Sequence, residues 1–335
     1  MLHSSVQSKA GGYGLKREIK RLKSTLMTAT CAVALSVGWV SDAAAIFIRD
    51  DVAVGSYNGL AADVRFQAAG YLGTAGGSGS FCSGTLIGAS TFLTAAHCVD
   101  YNFDFILDDT PGTLVVGFDV NFPLSLPSYN VLSISIHPGW NGAPQYDLAL
   151  IELTAAILGI TPAIISLHDP IGQLGTMIGY GVQRNGLGVA LIGANSRLGA
   201  QNIINQRGPD IQTDFDHPNG TTNSFGDVFP VALEGTTAPG DSGGPLFAVY
   251  GGNDVIVGVL HGGFNPFGVA SGYGDISIWA SLRDPANVAF LHNRIHGVPE
   301  PSTLPLLLAG LLGAIYARKW RRGGARSLAG LQVRG

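Results

Sequence analysis

From Ile46 onward the chain carries short apolar or alternating runs rather than long helical periods. Phe81–Thr85, Thr91–Thr94, Thr113–Val116, Val131–Ile136 and Leu148–Leu153 each read as a strand. A second set follows at Thr176–Ile178, Val228–Leu233, Leu246–Tyr250, Val255–Leu260 and Asp275–Ile278. Gly, Pro, Asn and Asp separate the runs, as expected of residues that end ladders and make turns. This pattern predicts a closed, all-β antiparallel architecture, which leaves no strand edge exposed. Residues 155–172 read as a linker between the two sets, and the Asn/Asp/Gly-rich stretch 201–227 as surface loop. One helix is predicted near the end. Asp284 suits its N-cap and Pro285 its first position, and Val288, Leu291 and Ile295 then fall on one face.

The two ends have a different character. Lys16, Arg17, Lys20, Arg21 and Lys23 precede an apolar run from Thr25 to Val40, and Ala43-Ala44-Ala45 follows. A basic start, an apolar middle and a small-residue cut site describe a secretory signal over residues 1–45. At the other end Leu304–Ala317 is an apolar run of 14 residues, followed by Arg318, Lys319, Arg321 and Arg322. As a helix it would be ~21 Å long at ~1.5 Å per residue, short against a hydrocarbon layer of ~30 Å. Snorkelling arginines extend its reach, and the basic cluster stays on the cytoplasmic side. The body thus runs from 46 to 296, and a membrane-directed segment from 297 to 335.

Charge narrows the class of partner. Between Ile46 and Val298 there are seven Arg, no Lys and 20 Asp plus Glu, a net of −13 against −4 for the whole chain. So acidic a body argues against nucleic acid, whose phosphates attract basic faces. Of three cysteines, Cys31 lies in the leader. Cys82 and Cys98 remain, an even pair suited to one disulfide in an exported protein. Neither a cluster with metal-ligand spacing nor a phosphate loop appears, so no metal and no cofactor is expected.

The chemistry centres on Pro239-Gly240-Asp241-Ser242-Gly243-Gly244-Pro245. One hydroxyl sits among glycines, which turn sharply and admit a substrate backbone. The amides of Gly240 and Ser242 are candidates for one oxyanion site. Serine alone is a weak nucleophile and needs a base and a group that orients the base. Thr94-Ala95-Ala96-His97-Cys98 offers the base. Tyr146-Asp147-Leu148-Ala149-Leu150-Ile151 offers the carboxylate, which a histidine N–H would make affordable to bury.

Together these three stretches resemble the trypsin/chymotrypsin-like serine proteases, over roughly Phe81 to Ile295. The resemblance implies two packed six-stranded β-barrels with a C-terminal helix, and a cleft between the barrels. It implies His97 as general base, Asp147 as its orienting acid, Ser242 as nucleophile, and Gly240 and Ser242 as oxyanion hole. Gly179-Tyr180-Gly181 is similar to the family's Gly-Trp-Gly segment. Protein or peptide substrates are implied, cut through an acyl-enzyme. Thr236 falls at the base of the family's specificity pocket, with Gly262 and Gly263 as its wall. A neutral Thr236 leaves a basic P1 side chain without a partner, so uncharged P1 residues are expected. In the family the aspartate before the nucleophile pairs with a newly freed N-terminal amine. Here that implies Asp241 with Ile46, which cleavage after Ala45 would expose; a loose arm at Ile46 and a locally satisfied Asp241 is the alternative. Ala238 stands where the family commonly has cysteine. His261 stands where it often has serine beside the acid; a hydrogen bond to Asp147 and a one-residue shift of the alignment are both open.

Val298-Pro299-Glu300-Pro301, the apolar run and the arginine cluster resemble the PEP-CTERM sorting signal of bacterial surface proteins. This implies transient anchoring in the inner membrane, processing by an exosortase-type enzyme after signal peptidase, and a destination at the cell surface or outside. A plain single-span tail anchor is the other reading of this segment. Two further functions compete with the protease. Gly240-Asp241-Ser242-Gly243-Gly244 also fits the G-x-S-x-G elbow of α/β-hydrolases, but a helix should follow it, and Pro245 with a strand-like run does. A non-catalytic binding module on the same fold is the other rival, although it has no need of all three polar residues.

Overall fold

The computed structural model describes residues 46–77, 79–120, 128–226, 229–268 and 272–295. The leader at 1–45 and the segment 297–335 lie outside the described residues, as do the predicted membrane and sorting elements within them. Among the described residues no helix is long and apolar enough to cross a membrane.

The chain enters through a short strand, β1 (Phe47–Ile48), and a helix, α1 (Val54–Ala62). Six strands then close a barrel: β2 (Ala69–Thr74), β3 (Ser80–Leu86), β4 (Thr91–Thr94), β5 (Leu114–Gly117), β6 (Tyr129–Ile136) and β7 (Ala149–Leu153), in the order β2-β3-β4-β7-β6-β5. Leu72, Leu86, Phe92, Leu93, Val116, Leu150 and Ile151 are almost fully buried and belong to one apolar cluster, on both faces of its strands. Space inside is tight: a Cβ at Gly84 would lie 2.3 Å from the Phe92 ring.

The second half contributes β8 (Ile164–Ile165), β9 (Leu174–Gly179), β10 (Arg184–Asn185), β11 (Leu198–Ile203), β12 (Asn205–Arg207), β13 (Asp210–Asp214), β14 (Gly235–Thr236), β15 (Pro245–Tyr250), β16 (Asn253–Phe264) and β17 (Ile276–Ser281). Its main sheet runs β11-β9-β15-β16-β17-β13-β12, with β8 beside β16. This is a half-barrel sheet, not a second closed six-stranded barrel. The ladders end at β11 and β12, apart from one bridge between Gln201 and Glu234 just before β14; β14 itself pairs with β1 in a separate three-stranded sheet, order β10-β1-β14. Met177, Leu198, Leu246, Leu260 and Trp279 form the core on its inner side. Phe247, Ile256 and Val259 instead join the first barrel's apolar cluster, and Phe66 meets Phe247 at 5.0 Å between rings. The first barrel's apolar cluster therefore extends into the second lobe.

The C-terminal helix, α2 (Pro285–Ile295), begins as expected: the Asp284 side chain accepts from Ala286 N at 2.9 Å. Of the expected face Leu291 is buried and Val288 half-buried, and Phe290 is buried beside them. Three readings are corrected. Val228–Leu233 is not a strand among its described residues, because Val231 N is taken by Glu234 Oε2 rather than by a ladder. The stretch 201–227 is not all surface loop: it holds β12 and β13, with Ile211, Thr213 and Phe215 buried. The helix α1 was not expected. Its sequence, Val54-Gly55-Ser56-Tyr57-Asn58-Gly59-Leu60-Ala61-Ala62, has two glycines and no side-chain N-cap, so both propensity and start signal are missing. Tertiary contacts hold it, with Tyr57 buried and its hydroxyl donating to Glu234 O at 3.0 Å.

Cys82 on β3 and Cys98 after β4 form a disulfide that closes a loop of 17 residues by sequence count. The chain-entropy account gives about 3 kcal/mol for a loop of this size. The double variant C82A/C98A is expected to lose about that much stability in urea unfolding, and an unchanged midpoint would contradict it.

Candidate active site

Two antiparallel neighbours in the first barrel bring the first polar pair together. Thr94 on β4 lies opposite Ala149 on β7. The chain just beyond Thr94 and just before Ala149 therefore meets at the same barrel end. His97 sits there in a one-turn helix, Ala96–Cys98, and Asp147 directly follows another, Pro144–Tyr146. Asp147 Oδ1 accepts from the His97 main-chain N–H at 2.9 Å, and Oδ2 faces His97 Nδ1 at 2.6 Å. The carboxylate holds both the backbone and the ring of the same residue, which fixes the imidazole's direction.

A second ring reaches the same oxygen. His261 Nδ1 lies 2.5 Å from Asp147 Oδ2. Asp147 is fully buried, while the two histidine side chains keep 18% and 22% exposure. Burial alone pushes the Asp147 carboxyl up, but the hydrogen bonds from His261 and His97 outweigh it and hold it below the ordinary carboxylate range. The three groups lie close enough to suggest a metal cluster. Their separations, however, are those of hydrogen bonds; two ligands of one zinc at ~2.0–2.1 Å each stand wider apart in tetrahedral geometry.

Ser242 comes from the other lobe, on the loop between β14 and β15. This loop is locked onto its surroundings by backbone. Ser242 O accepts from Ser83 N at 2.8 Å, Gly243 N donates to Leu260 O at 2.8 Å, and Leu260 N donates to Gly244 O at 3.0 Å. Gly243 has φ +79°, and a Cβ there would lie 2.1 Å from Thr94 Oγ1 and 2.7 Å from Ala95 N. The serine loop thus packs directly on the turn that carries His97, and Cys98 Sγ lies 3.6 Å from Ser242 O. Among the described residues, the amides of Gly240 and Ser242 donate to no protein acceptor.

Asp241 is buried beneath the loop. It accepts from Ile46 N at 3.1 Å, Gly181 N at 2.8 Å and Ala238 N at 2.8 Å. The Gly-Tyr-Gly segment has its physical reason here, since a Cβ at Gly179 would lie 2.1 Å from Asp241 Oδ1. Burial pushes the Asp241 carboxyl up to about 7 despite these donors. Ile46 is itself fully buried, with φ +63°, and β1 beside it pairs with β14 and β10.

A cavity of about 220 Å³ opens beside Ser242. Thr236, Gly262, Gly263 and Ser277 line it, as does Asp275. Gly262 faces open space, whereas a Cβ at Gly263 would lie 2.2 Å from Ile276 O. Sequence reasoning placed Thr236, Gly262 and Gly263 here but missed Asp275, whose only signal is an aspartate at the start of an apolar strand. Its carboxylate is already engaged, by Asn265 Nδ2 at 2.6 Å and Gly272 N at 3.0 Å.

The loop 100–109 was also missed. Asp100 is buried and accepts from Trp140 Nε1 at 2.6 Å and from Phe105 N at 3.0 Å. These bonds hold Phe103 and Phe105 in the left-handed region, at φ 60° and 69°. The Phe103 ring lies parallel to His97 with centroids 6.4 Å apart.

Residues 53–276 match the family model described as Trypsin. The chain belongs to the trypsin family. Residues 297–322 match the PEP-CTERM protein-sorting motif. Over 82 residues the chain is 38% identical to serine protease Hayan of Drosophila melanogaster, covering 23% of this chain and 12% of that protein. Over 105 residues it is 33% identical to chymotrypsin-like elastase family member 1 of Homo sapiens, covering 27% and 38%. These alignments span well under half the length of either relative.

Proposed function

We propose that residues 46–296 form a serine endopeptidase acting through His97, Asp147 and Ser242. His97 removes the proton from Ser242 Oγ as that oxygen attacks the scissile carbonyl. Negative charge then gathers on the former carbonyl oxygen, where the Gly240 and Ser242 amides donate. Collapse expels the amine, which takes the proton from His97, and water releases the acyl group by the same steps in reverse order. Asp147 stays ionised throughout and steadies the imidazolium. The observation that carries the reading is the double grip of Asp147 on His97, with the serine loop seated on the same turn.

A serine-directed fluorophosphonate tests it. Wild-type protein is expected to be labelled, and S242A to be unlabelled and slower in peptide hydrolysis by about 10⁴-fold or more. Equal labelling of both would remove the serine from the mechanism.

The pocket favours an uncharged P1 side chain. Thr236 offers no charge, and Asp275 is already committed to Asn265 and Gly272. On a matched peptide series, apolar or aromatic P1 residues are expected to exceed Lys and Arg in kcat/KM by about tenfold or more, the scale of one unpaired charge in a closed site. Faster cleavage after Lys or Arg would reverse this and make Asp275 the pocket's acid.

The leader and the sorting motif support export, processing by signal peptidase and an exosortase-type enzyme, and transient membrane anchoring through the C-terminal segment. Cleavage after Ala45 would leave Ile46 as a free amine beside Asp241. A β-branched residue is strained at positive φ, and an N-terminal residue no longer has that dihedral. While Ile46 remains an amide, Asp241 has a raised carboxyl, so the folded state binds its proton more tightly than the unfolded chain does. Stability from this group is then full below about 4 and lost as pH rises towards about 7. A free ammonium at Ile46 would cancel that loss by favouring the carboxylate. The exported protein is expected to begin at Ile46 on N-terminal sequencing, and to lack this decline between about pH 4 and 7 that an N-terminally extended form shows in urea unfolding. A different first residue in fully active protein would exclude the Ile46–Asp241 pair.

A further inference from the structure

The β16–β17 ladder steps over one residue. Leu260 pairs with Trp279 and Gly262 with Ile278, which leaves His261 as the extra residue of a bulge. A bulge re-aims a side chain that regular pleating would send elsewhere. Here it turns an imidazole from the second lobe onto a carboxylate of the first. Leu260 is clamped to the serine loop through Gly243 N and Gly244 O, so the bulge is anchored on one side by the chain that bears Ser242.

Asp147 Oδ2 then faces two Nδ1 atoms, at 2.6 Å from His97 and 2.5 Å from His261. Both rings donate when each carries its proton on Nδ1. One buried anion can balance one imidazolium, not two, and the rings stand edge to face with centroids 5.6 Å apart. The charged or titratable groups facing His261 are Asp147, His97 and, at the start of β13, Asp210, whose carboxyl is pushed up by burial and eased by His261.

We propose that His261 is a positioning residue for the reaction: it grips the shared carboxylate with its own N–H and, once protonated, competes with His97 for that single negative charge. The inference rests on the serine endopeptidase reading above. It assigns His261 two separable effects. Its N–H orients Asp147 and through it His97. Its positive charge, whenever it carries one, opposes the addition of a second proton to His97, because both rings face the one Asp147 oxygen.

The test compares H261A and H261N with wild type in steady-state kinetics across pH, with folding checked by circular dichroism. Loss of a donor to a buried carboxylate is expected to lower kcat in H261A by about 10- to 100-fold with little change in KM. H261N keeps a neutral donor and should recover most of kcat. Its acid limb in kcat/KM is nevertheless expected to move to higher pH, by about 0.5 to 2 units, the range for one charge at this separation in water or near a protein surface. It should also become a single step, whereas two coupled imidazoles give a broader one. A purely structural histidine would not shift that limb. An H261N profile superimposed on wild type, or wild-type kcat in H261A, overturns the proposal; if H261A does not fold, the H261N profile decides. A wild-type protein that the fluorophosphonate does not label overturns the underlying reading and this proposal with it, and that result is recognisable because it does not depend on residue 261.

Discussion

A single buried carboxylate ties the site together. Asp147 has no exposure, yet it stays ionised because N–H donors arrive from three directions: the His97 main chain, the His97 ring and the His261 ring. A buried charge without such partners would take up a proton instead. The donors come from both lobes, so the carboxylate's ionisation and the docking of the lobes depend on each other. Separating the half-barrel sheet from the barrel would remove His261 and expose the shared apolar cluster around Phe66, Phe247 and Val259 at the same time.

The second buried acid, Asp241, has a different balance. Its donors are backbone amides only, from Ile46, Gly181 and Ala238, with no charged group among them. At Asp241 these amides do not outweigh burial, whereas at Asp147 the hydrogen bonds from His261 and His97 do, so one carboxyl is raised and the other lowered. Two aspartates, equally hidden, differ in charge preference because of what donates to them. Glycine makes both arrangements fit. At Gly179 and Gly243 a single Cβ would strike Asp241 or the Thr94–Ala95 turn, so these positions keep the serine loop pressed against its neighbours.

Much of this was legible in the sequence. Strands β3, β4, β5, β6, β7, β15, β16 and β17 follow runs whose period is visible, and Asp284-Pro285 starts α2 as its capping chemistry requires. His97, Asp147, Ser242 and Asp241 stood out through local motifs; the structure joins His97 to Asp147 and packs the loop of Ser242 on the turn that carries His97. Other features were hidden for identifiable reasons. Helix α1 lacks propensity and cap, so its partners decide it. Strands β12 and β13 lie in a polar stretch where Thr213 and Asp214 are buried along with Ile211 and Phe215, so no apolar alternation marks them. Asp275 looks like any residue opening a strand until the pocket forms around it. The half-barrel differs from a closed barrel through the departure of β14 to pair with β1, a long-range choice that no local pattern encodes.

The sequence by itself determined which residues are candidates for the chemistry and which elements hold them, because residue type, capping and periodicity are properties of neighbours along the chain. It also determined that one disulfide was available. Only the tertiary structure decided that Asp147 would face two imidazoles rather than one. That outcome depends on a one-residue bulge at His261 and on the way one lobe's strand meets another lobe's turn. Such meetings are fixed by packing and register between residues 114 positions apart, where no local preference reaches.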